Sequence, residues 1–202
     1  LQRRVRGTLM AGQVLAGLGM GSTLSLGALL AAAVSGTPAL SGMAATMATL
    51  GAALAAVPLA RLAGRTGRAP ALATGATIAA VGGMLAIASA ALGWFPLLLV
   101  ALASIGVGTA VNLQSRFAAA DLAADATRGR DLSLVVWATT IGAVSGPNLI
   151  GPGETLGSWL GLPPLSGAFV FTAIAQLSAA VLYVLLLRPD PLRVAARWDA
   201  QR

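Results

Sequence analysis

The sequence contains no cysteine and no histidine, and all of its basic residues are arginine because lysine is absent as well. These absences exclude disulfide bonds, thiolate metal sites, imidazole catalysis and histidine ligation of metals. Charge of either sign is also scarce, since 9% of the 202 residues are charged, whereas soluble domains carry about a quarter. We therefore expect no metal and no cofactor.

Hydrophobic residues make up 57% of the chain, and so few charges could not cover the surface of a water-soluble domain. The apolar surface must therefore face lipid, which makes the bilayer itself a partner. The net charge of +7 would also suit nucleic acid binding. The arginines argue against that partner, because they lie at the ends of apolar runs and not on one face of a folded domain.

Six apolar runs are long enough to cross a membrane, which takes about 20 mainly apolar residues in a helix. They cover residues 8–34, 38–63, 71–93, 95–120, 132–150 and 165–187. Turn or charge signals separate them, and the last break, GPGETLGSWLGLPPLSG, is rich in glycine and proline. Backbone groups in hydrocarbon must be satisfied within their own segment, so the runs are predicted to be the helices of an all-α polytopic membrane protein.

The arginines alternate with these runs. They occur before the first run, around the second and fourth breaks and after the sixth run, but not in the first, third or fifth break. Six spans place all of these arginines on one side of the membrane, and the positive-inside rule makes that side cytoplasmic. Both termini are then cytoplasmic, in a multi-pass protein of the cell (inner) membrane. A signal peptide does not fit, because the first run is too long.

An internal repeat supports this arrangement. Ala16–Gly27 and Ala103–Gln114 have the same residue at four positions, which aligns Gly19 with Gly106. The first run leaves the cytoplasm and the fourth returns to it, as in inverted three-plus-three repeats. We predict a 3+3 inverted-repeat bundle over residues 1–187 and a cytoplasmic tail, or the start of a linker, at 188–202. The start at Leu1 and the polar end lead us to expect a fragment of a longer chain.

The second break, RLAGRTGR, resembles the signature loop of the major facilitator superfamily, which reads approximately G-x-L-A-D-R-x-G-R-K between spans two and three. The matching residues are Leu62, Ala63, Arg65, Gly67 and Arg68. The departures are Ala60, Gly64 and Ala69, where the family has a glycine, an acid and a base. The family acid helps to lock two six-helix halves together on the cytoplasmic side, so its absence puts that latch in doubt. The resemblance implies that the chain is the N-terminal half.

The physics of the loop is consistent with that resemblance. Gly67 permits a tight turn between antiparallel helices, and Arg65 and Arg68 lie at the headgroup level. Asp121, at the end of span four, is the acid best placed to pair with them. The gating residues predicted outside the loop are Asp121, Arg128 and Arg130. The charges are interpreted either as solvated topology anchors or as parts of a gate, and the two roles are compatible.

Span five carries GAVSGPNLIGP, which is similar to the family antiporter motif G-x-x-x-G-P-x-x-G-G with its last glycine displaced by one. The motif residues are Gly142, Gly146, Pro147 and Gly151. Glycines four apart allow close helix contact, and the proline removes a backbone hydrogen bond and can kink the helix. Ordinary G-x-x-x-G packing is the alternative. Leu102 stands where family drug/proton antiporters often carry an arginine in span four.

Polar residues within the spans are candidates for a substrate pathway, because transporter sites lie near the membrane midplane. The candidates are Gln13, Thr23, Asn112, Gln114, Arg116 and Gln176. Arg116 is interpreted as an anion site, as a partner of Asp121, or as a side chain that reaches the inner interface. No carboxylate lies in the middle of a span, so a coupling acid is either in a missing half or not used.

We therefore expect secondary active transport of a small organic solute by alternating access, with efflux favoured by the antiporter resemblance. The expected partners are the small-molecule substrate, the lipid bilayer and either a missing C-terminal six-helix half or a second copy. A six-helix structural or channel-like homo-oligomer is the alternative. An enzyme is not expected, because the spans contain neither a Ser–His pair nor paired acids.

Overall fold

A computed structural model describes residues 2–121 and 128–194, with side chains at all of these except 2, 3, 22, 24, 25 and 128. The helices are α1 (Gln2–Ser35), α2 (Met43–Thr66), α3 (Arg68–Leu92), α4 (Phe95–Asp121), α5 (Arg128–Ser145), α6 (Ile150–Trp159) and α7 (Gly167–Leu186). Short 3₁₀ turns lie at Pro38–Leu40 and Pro147–Leu149. Within residues 2–121 and 128–194, six helical segments are long and apolar enough to cross a membrane, which is the predicted number.

The fifth span is longer than predicted, because α5 and α6 form one segment, Gly129–Trp159. Residues 151–159, which were predicted to begin a connection, are therefore helical and lie in α6. Pro147 interrupts the span by a single 3₁₀ turn whose backbone remains hydrogen-bonded. Pro152 lies in the first turn of α6, where its missing N–H has no helical partner to lose. The connection to α7 is thus shortened to residues 160–166.

Consecutive spans alternate in direction, so the starts of α1, α3 and α5 share one end of the bundle with the ends of α2, α4 and α7. We call it the arginine end. It carries Arg6, Arg65, Arg68, Arg130 and Arg188. Hydrogen bonds between helix ends close this side of the bundle, as described below.

The buried core lies between α1, α3, α4 and α7, and spans two and five lie largely outside it. Leu72 and Tyr183 are buried toward the arginine end, and Leu102 and Phe169 toward the opposite end. In their most apolar stretches, 17% of span two and 22% of span five are buried, against 60% of span one. Side chains such as Val57 are accordingly exposed. Spans two and five therefore present apolar faces outward.

Two helix crossings near the middle of the bundle make the same backbone contact. The contacts at the α1·α5 crossing are Gly17 against the Thr139 carbonyl and Gly142 against the Val14 carbonyl. The contacts at the α2·α4 crossing are Gly106 against the Ala48 carbonyl and Gly51 against the Ala103 carbonyl. A Cβ at any of the four glycines would overlap the facing backbone, so close approach requires glycine there.

These matching contacts are what an inverted repeat produces, because exchanging span one with four and span two with five converts one crossing into the other. The register differs from the sequence alignment, since Gly17 and not Gly19 corresponds to Gly106. Gly19 corresponds to Gly108, and both face the Gln176 side chain. Alanine and glycine recur so often in these spans that sequence identity alone does not fix the register.

Candidate functional site

The arginine end carries a polar cluster on α3 and α4. Arg68, the first residue of α3, donates from Nε to Asp121 Oδ2 at 2.8 Å and from Nη2 to Oδ1 at 3.3 Å. Its Nη1 donates to Gln114 Oε1 at 2.9 Å. Both charged side chains are 14% exposed. A partly buried pair with two-point geometry is stronger than a surface pair, so this contact holds the start of α3 against the end of α4.

An aromatic ring lies on the outer side of the same arginine. The guanidinium carbon of Arg68 is 5.9 Å from the centre of the Phe117 ring, within the range of a cation–π contact. Phe117 is itself 56% exposed. Together with Val57, Arg61 and Gln114 it lines a cavity of about 510 Å³ between α2 and α4. The cation therefore lies between a carboxylate and the edge of this cavity.

The remaining predicted gating residues are placed differently. Arg65 and Arg130 are exposed, and neither forms an ion pair within the described residues. Leu62 is partly buried and Ala63 is buried. Gly67 joins α2 to α3 with a φ of 108°, in the region that favours glycine. The side chain of Arg128 lies outside the described residues.

A second carboxylate reaches the α2–α3 connection from a distant part of the chain. Asp190, beyond the end of α7, accepts the Ala69 N–H at 2.8 Å and lies against Gly67. Gly64, at the position of the family acid, is surrounded by open space. The acid at this connection thus comes from the segment after span six. Sequence reasoning missed it, because only its two flanking prolines mark the residue.

Arg6 and Asp131 form a second ion pair at the arginine end, with 2.8 Å between Nη1 and Oδ1. Asp131 is 2% exposed and lies in the first turn of α5, where a carboxylate is favoured by the helix dipole. The pair joins α1 to α5 much as the other pair joins α3 to α4. It was not predicted, because residues 125 positions apart meet only through the tertiary fold.

The span-five motif lies where α1 crosses α5. Gly142 makes the close contact described above, and Gly146 lies beside Gly21 of α1. Pro147 begins the 3₁₀ turn between α5 and α6. Gly151 is exposed, with open space where a side chain would be. The first part of the motif therefore shapes the contact with α1, and its last glycine does not.

A second polar cluster lies one helical turn from the α1·α5 crossing. Gln13, which is fully buried, accepts from Thr139 Oγ1 at 3.0 Å and donates from Nε2 to the Asn112 carbonyl at 3.4 Å. The Asn112 amide donates to the sulfur of Met20. These bonds link α1, α4 and α5 in otherwise apolar surroundings, where they are strengthened by the low dielectric.

Several atoms of this cluster have no hydrogen-bond partner within the described residues. They are Oδ1 of Asn112 and both amide atoms of Gln176. Gln176 of α7 lies against Gly19 and Gly108, so α1, α4 and α7 meet at its amide. Buried polar atoms are nearly always satisfied by protein or by ordered water, so these atoms are available to water or to a polar ligand. These amides offer both donors and acceptors without charge.

Three other pathway candidates lie apart from this cluster. Thr23 donates to the Gly19 carbonyl of its own helix at 2.9 Å. Gln114 belongs to the arginine-end cluster. Arg116 does not pair with Asp121, whose carboxylate binds Arg68, and its buried Nε has no partner in the described part of the chain. The same part contains no group of three acidic, histidine or cysteine side chains that could hold a metal.

One protein family matches almost the whole chain. The family model described as Major Facilitator Superfamily matches residues 9–201. The chain belongs to the major facilitator superfamily. Among its relatives are the uncharacterized MFS-type transporters YdeG and YddS of Bacillus subtilis (strain 168). YdeG is 36% identical over 200 residues, which are 99% of this chain and 46% of YdeG. YddS is 35% identical over 195 residues, which are 96% of this chain and 45% of YddS.

This major facilitator chain thus spans about half the length of these relatives. No solved structure matches it. Family membership confirms the predicted resemblance to the major facilitator superfamily and agrees with an all-α multi-pass membrane protein with six spans.

Proposed function

We propose that this chain is the N-terminal half of a secondary transporter that moves a small organic solute by alternating access. The family and the double length of the relatives support a carrier with a second half. The outward apolar faces of spans two and five suit packing against another six-helix unit. The arginine end would lie in the cytoplasm, in the cell (inner) membrane. The observation that carries the proposal is the Arg68–Asp121–Gln114 cluster at the signature loop.

The cluster would act as a positioning element of the cytoplasmic gate. Arg68 fixes the α2–α3 connection against α4, beside the cavity that Phe117 and Arg61 line. A second half that closes the arginine end would dock at this cavity. The two-point ion pair then holds the loop in the shape that the closed state needs. Loss of the Arg68 side chain would remove its bonds to both Asp121 and Gln114 and would leave the bond of the Ala69 N–H to Asp190 at this loop. It would therefore raise the free energy of the closed state.

The mid-bundle cluster is the proposed substrate contact. Gln13, Thr139, Asn112 and Gln176 present neutral donors and acceptors near the midplane. A solute with hydrogen-bonding groups could replace the long bond from Gln13 and satisfy the unpartnered amides. The efflux direction rests on the resemblance of the span-five motif to that of the family antiporters.

Full-length protein in proteoliposomes tests the gate, with ethidium and a panel of other fluorescent organic solutes as probes. Arg68→Gln is expected to slow movement of the transported probe by about tenfold, which corresponds to about 1.4 kcal/mol in the barrier. Arg68→Lys keeps the charge but loses the two-point geometry, so its rate should fall between those of the wild type and Arg68→Gln.

Arg4→Gln is the matched control, because Arg4 is an exposed arginine at the same end and its side chain has no partner in the described residues. It should keep the wild-type rate. Equal rates for Arg68→Gln and Arg4→Gln would contradict the gating role. The alternative of a six-helix homo-oligomer predicts that cross-linking captures two copies face to face through spans two and five, with no second half required.

A further inference from the structure

A cavity of about 630 Å³ lies at the arginine end, between the first turn of α3 and the last turn of α7. Its apolar walls include Pro70 from α3, Val184 from α7 and Leu187, the residue that follows α7. Arg188 and Arg193, from the segment that follows α7, line it as well. The cavity is distinct from the one between α2 and α4 and from the mid-bundle polar cluster.

The cavity carries net positive charge. Arg188 donates from Nε to the Val184 carbonyl at 2.9 Å, and its terminal nitrogens have no partner in the described residues. Arg193 is exposed and forms no ion pair there. Asp190 also lines the cavity, but its two oxygens already accept backbone N–H groups, those of Ala69 and Leu192. Two guanidinium groups are therefore left to bind an anion.

Exposed apolar residues continue from the cavity along both helices. On α7, Val181 and Leu177 lie on the helix face of Val184, and they are 50% and 54% exposed. On α3, Val81 lies about three turns beyond Pro70 on the same face and is 41% exposed. The cavity thus has charge at its outer part and leads into apolar strips that run toward the membrane interior.

We propose that this cavity binds the headgroup of an anionic phospholipid, whose acyl chains lie along the exposed faces of α3 and α7. The phosphate diester supplies the negative charge that Arg188 and Arg193 complement, and basic pockets between transmembrane helices bind such headgroups. The apolar strips accept the chains. A free anion would use the arginines and leave the strips unoccupied, so the combination of both features favours a lipid.

Native mass spectrometry of the full-length protein in detergent tests this site. The protein is titrated with dioleoyl phosphatidylglycerol or with dioleoyl phosphatidylcholine, which share their chains and differ in net charge. An arginine close to a membrane surface strengthens binding to anionic lipid by about fivefold, so Arg188→Gln with Arg193→Gln should weaken phosphatidylglycerol binding by about 30-fold. Binding of phosphatidylcholine should not change.

Arg4→Gln with Arg61→Gln is the control, because it removes two exposed arginines of the same end that lie outside the cavity. It should keep phosphatidylglycerol binding. Equal weakening in the two double variants, or equal binding of the two lipids by the wild type, would overturn the proposal. Displacement of the lipid by excess inorganic phosphate would assign the site to a free anion and overturn it too. The measurement is lipid binding and not transport, so failure of this proposal is distinguishable from failure of the transport test.

Discussion

The α1·α5 and α2·α4 crossings have the same backbone contacts and different side chains. One turn before Gly17 in α1 lies Gln13, and one turn before Gly106 in α4 lies Leu102; both are fully buried. The carbonyl that meets Gly17 belongs to Thr139, whose hydroxyl binds Gln13. Its counterpart at the other crossing belongs to Ala48, which has no polar side chain. The α1·α5 crossing therefore has a polar pair, Gln13 with Thr139, and the α2·α4 crossing has none at the equivalent positions.

This difference distinguishes the contacts that helix packing requires from the side chains that it does not require. The apolar crossing is as close as the polar one, so the glycines and the backbone are sufficient for packing. A hydrogen bond between buried side chains contributes only about 1 kcal/mol net, because both groups also lose water. Packing at the crossing therefore does not require the Gln13–Thr139 pair, which is consistent with the role in the solute pathway that we propose for it.

The largest expected effect comes from adding a methyl group at either crossing. Gly17→Ala and Gly106→Ala should each destabilise the full-length protein by about 3 kcal/mol, because the new Cβ overlaps a facing carbonyl. Thermal unfolding in detergent measures the loss. Gly64→Ala, where a Cβ meets open space, is the control and should change stability by less than about 1 kcal/mol. If one crossing tolerated alanine and the other did not, the two would not be equivalent.

A smaller effect is expected when the polar pair is introduced at the apolar crossing. Leu102→Gln buries an amide with no partner, and it should cost about 2 kcal/mol of stability. Adding Ala48→Thr should recover about 1 kcal/mol by supplying the hydroxyl that Thr139 supplies at the other crossing. Melting temperatures of both single variants and the double variant give the coupling energy. A coupling energy of zero would show that the two sites differ in side-chain geometry.

The smallest change in stability is expected when the polar pair is removed. Gln13→Leu with Thr139→Ala copies the α2·α4 crossing and should alter the free energy of unfolding by less than about 1 kcal/mol. Transport by the full-length protein should nevertheless fall by at least about tenfold, the equivalent of about 1.4 kcal/mol in the barrier. Comparing melting temperature with proteoliposome rate separates the two effects. A variant that still transports at the wild-type rate would remove this pair from the solute pathway.

Local patterns predicted much of the fold. Helices α3 and α4 begin and end within three residues of the predicted limits, which are set by turn and charge signals beside long apolar runs. Helix α1 begins six residues before the predicted limit, and α2 begins five residues after it. The predicted fifth span ends at residue 150, before the Gly/Pro-rich stretch, whereas the helix continues into that stretch as α6 to Trp159, because Pro152 lies in the first turn of α6. The contact of Arg68 with Asp121 was expected and is present. The gating role of that contact stays a prediction.

Contacts between distant segments were harder to predict. Asp131 and Asp190 are single acids in unremarkable surroundings, and nothing local marks Arg6 or the Ala69 N–H as their partners. Gln114 was assigned to the solute pathway, but its partner is Arg68 at the arginine end.

The sequence by itself determined the number of spans, the placement of the arginines on one side of the bundle and the family. The reason is that a span must be a long apolar helix and that charged side chains are unfavourable in hydrocarbon. Only the tertiary structure decided which helices cross and at which glycine they do so. It also decided which acid pairs with which arginine. Those choices depend on matching two surfaces that lie far apart in the chain. Small residues are so common in these spans that many registers satisfy the local rules, and only the packed bundle selects one.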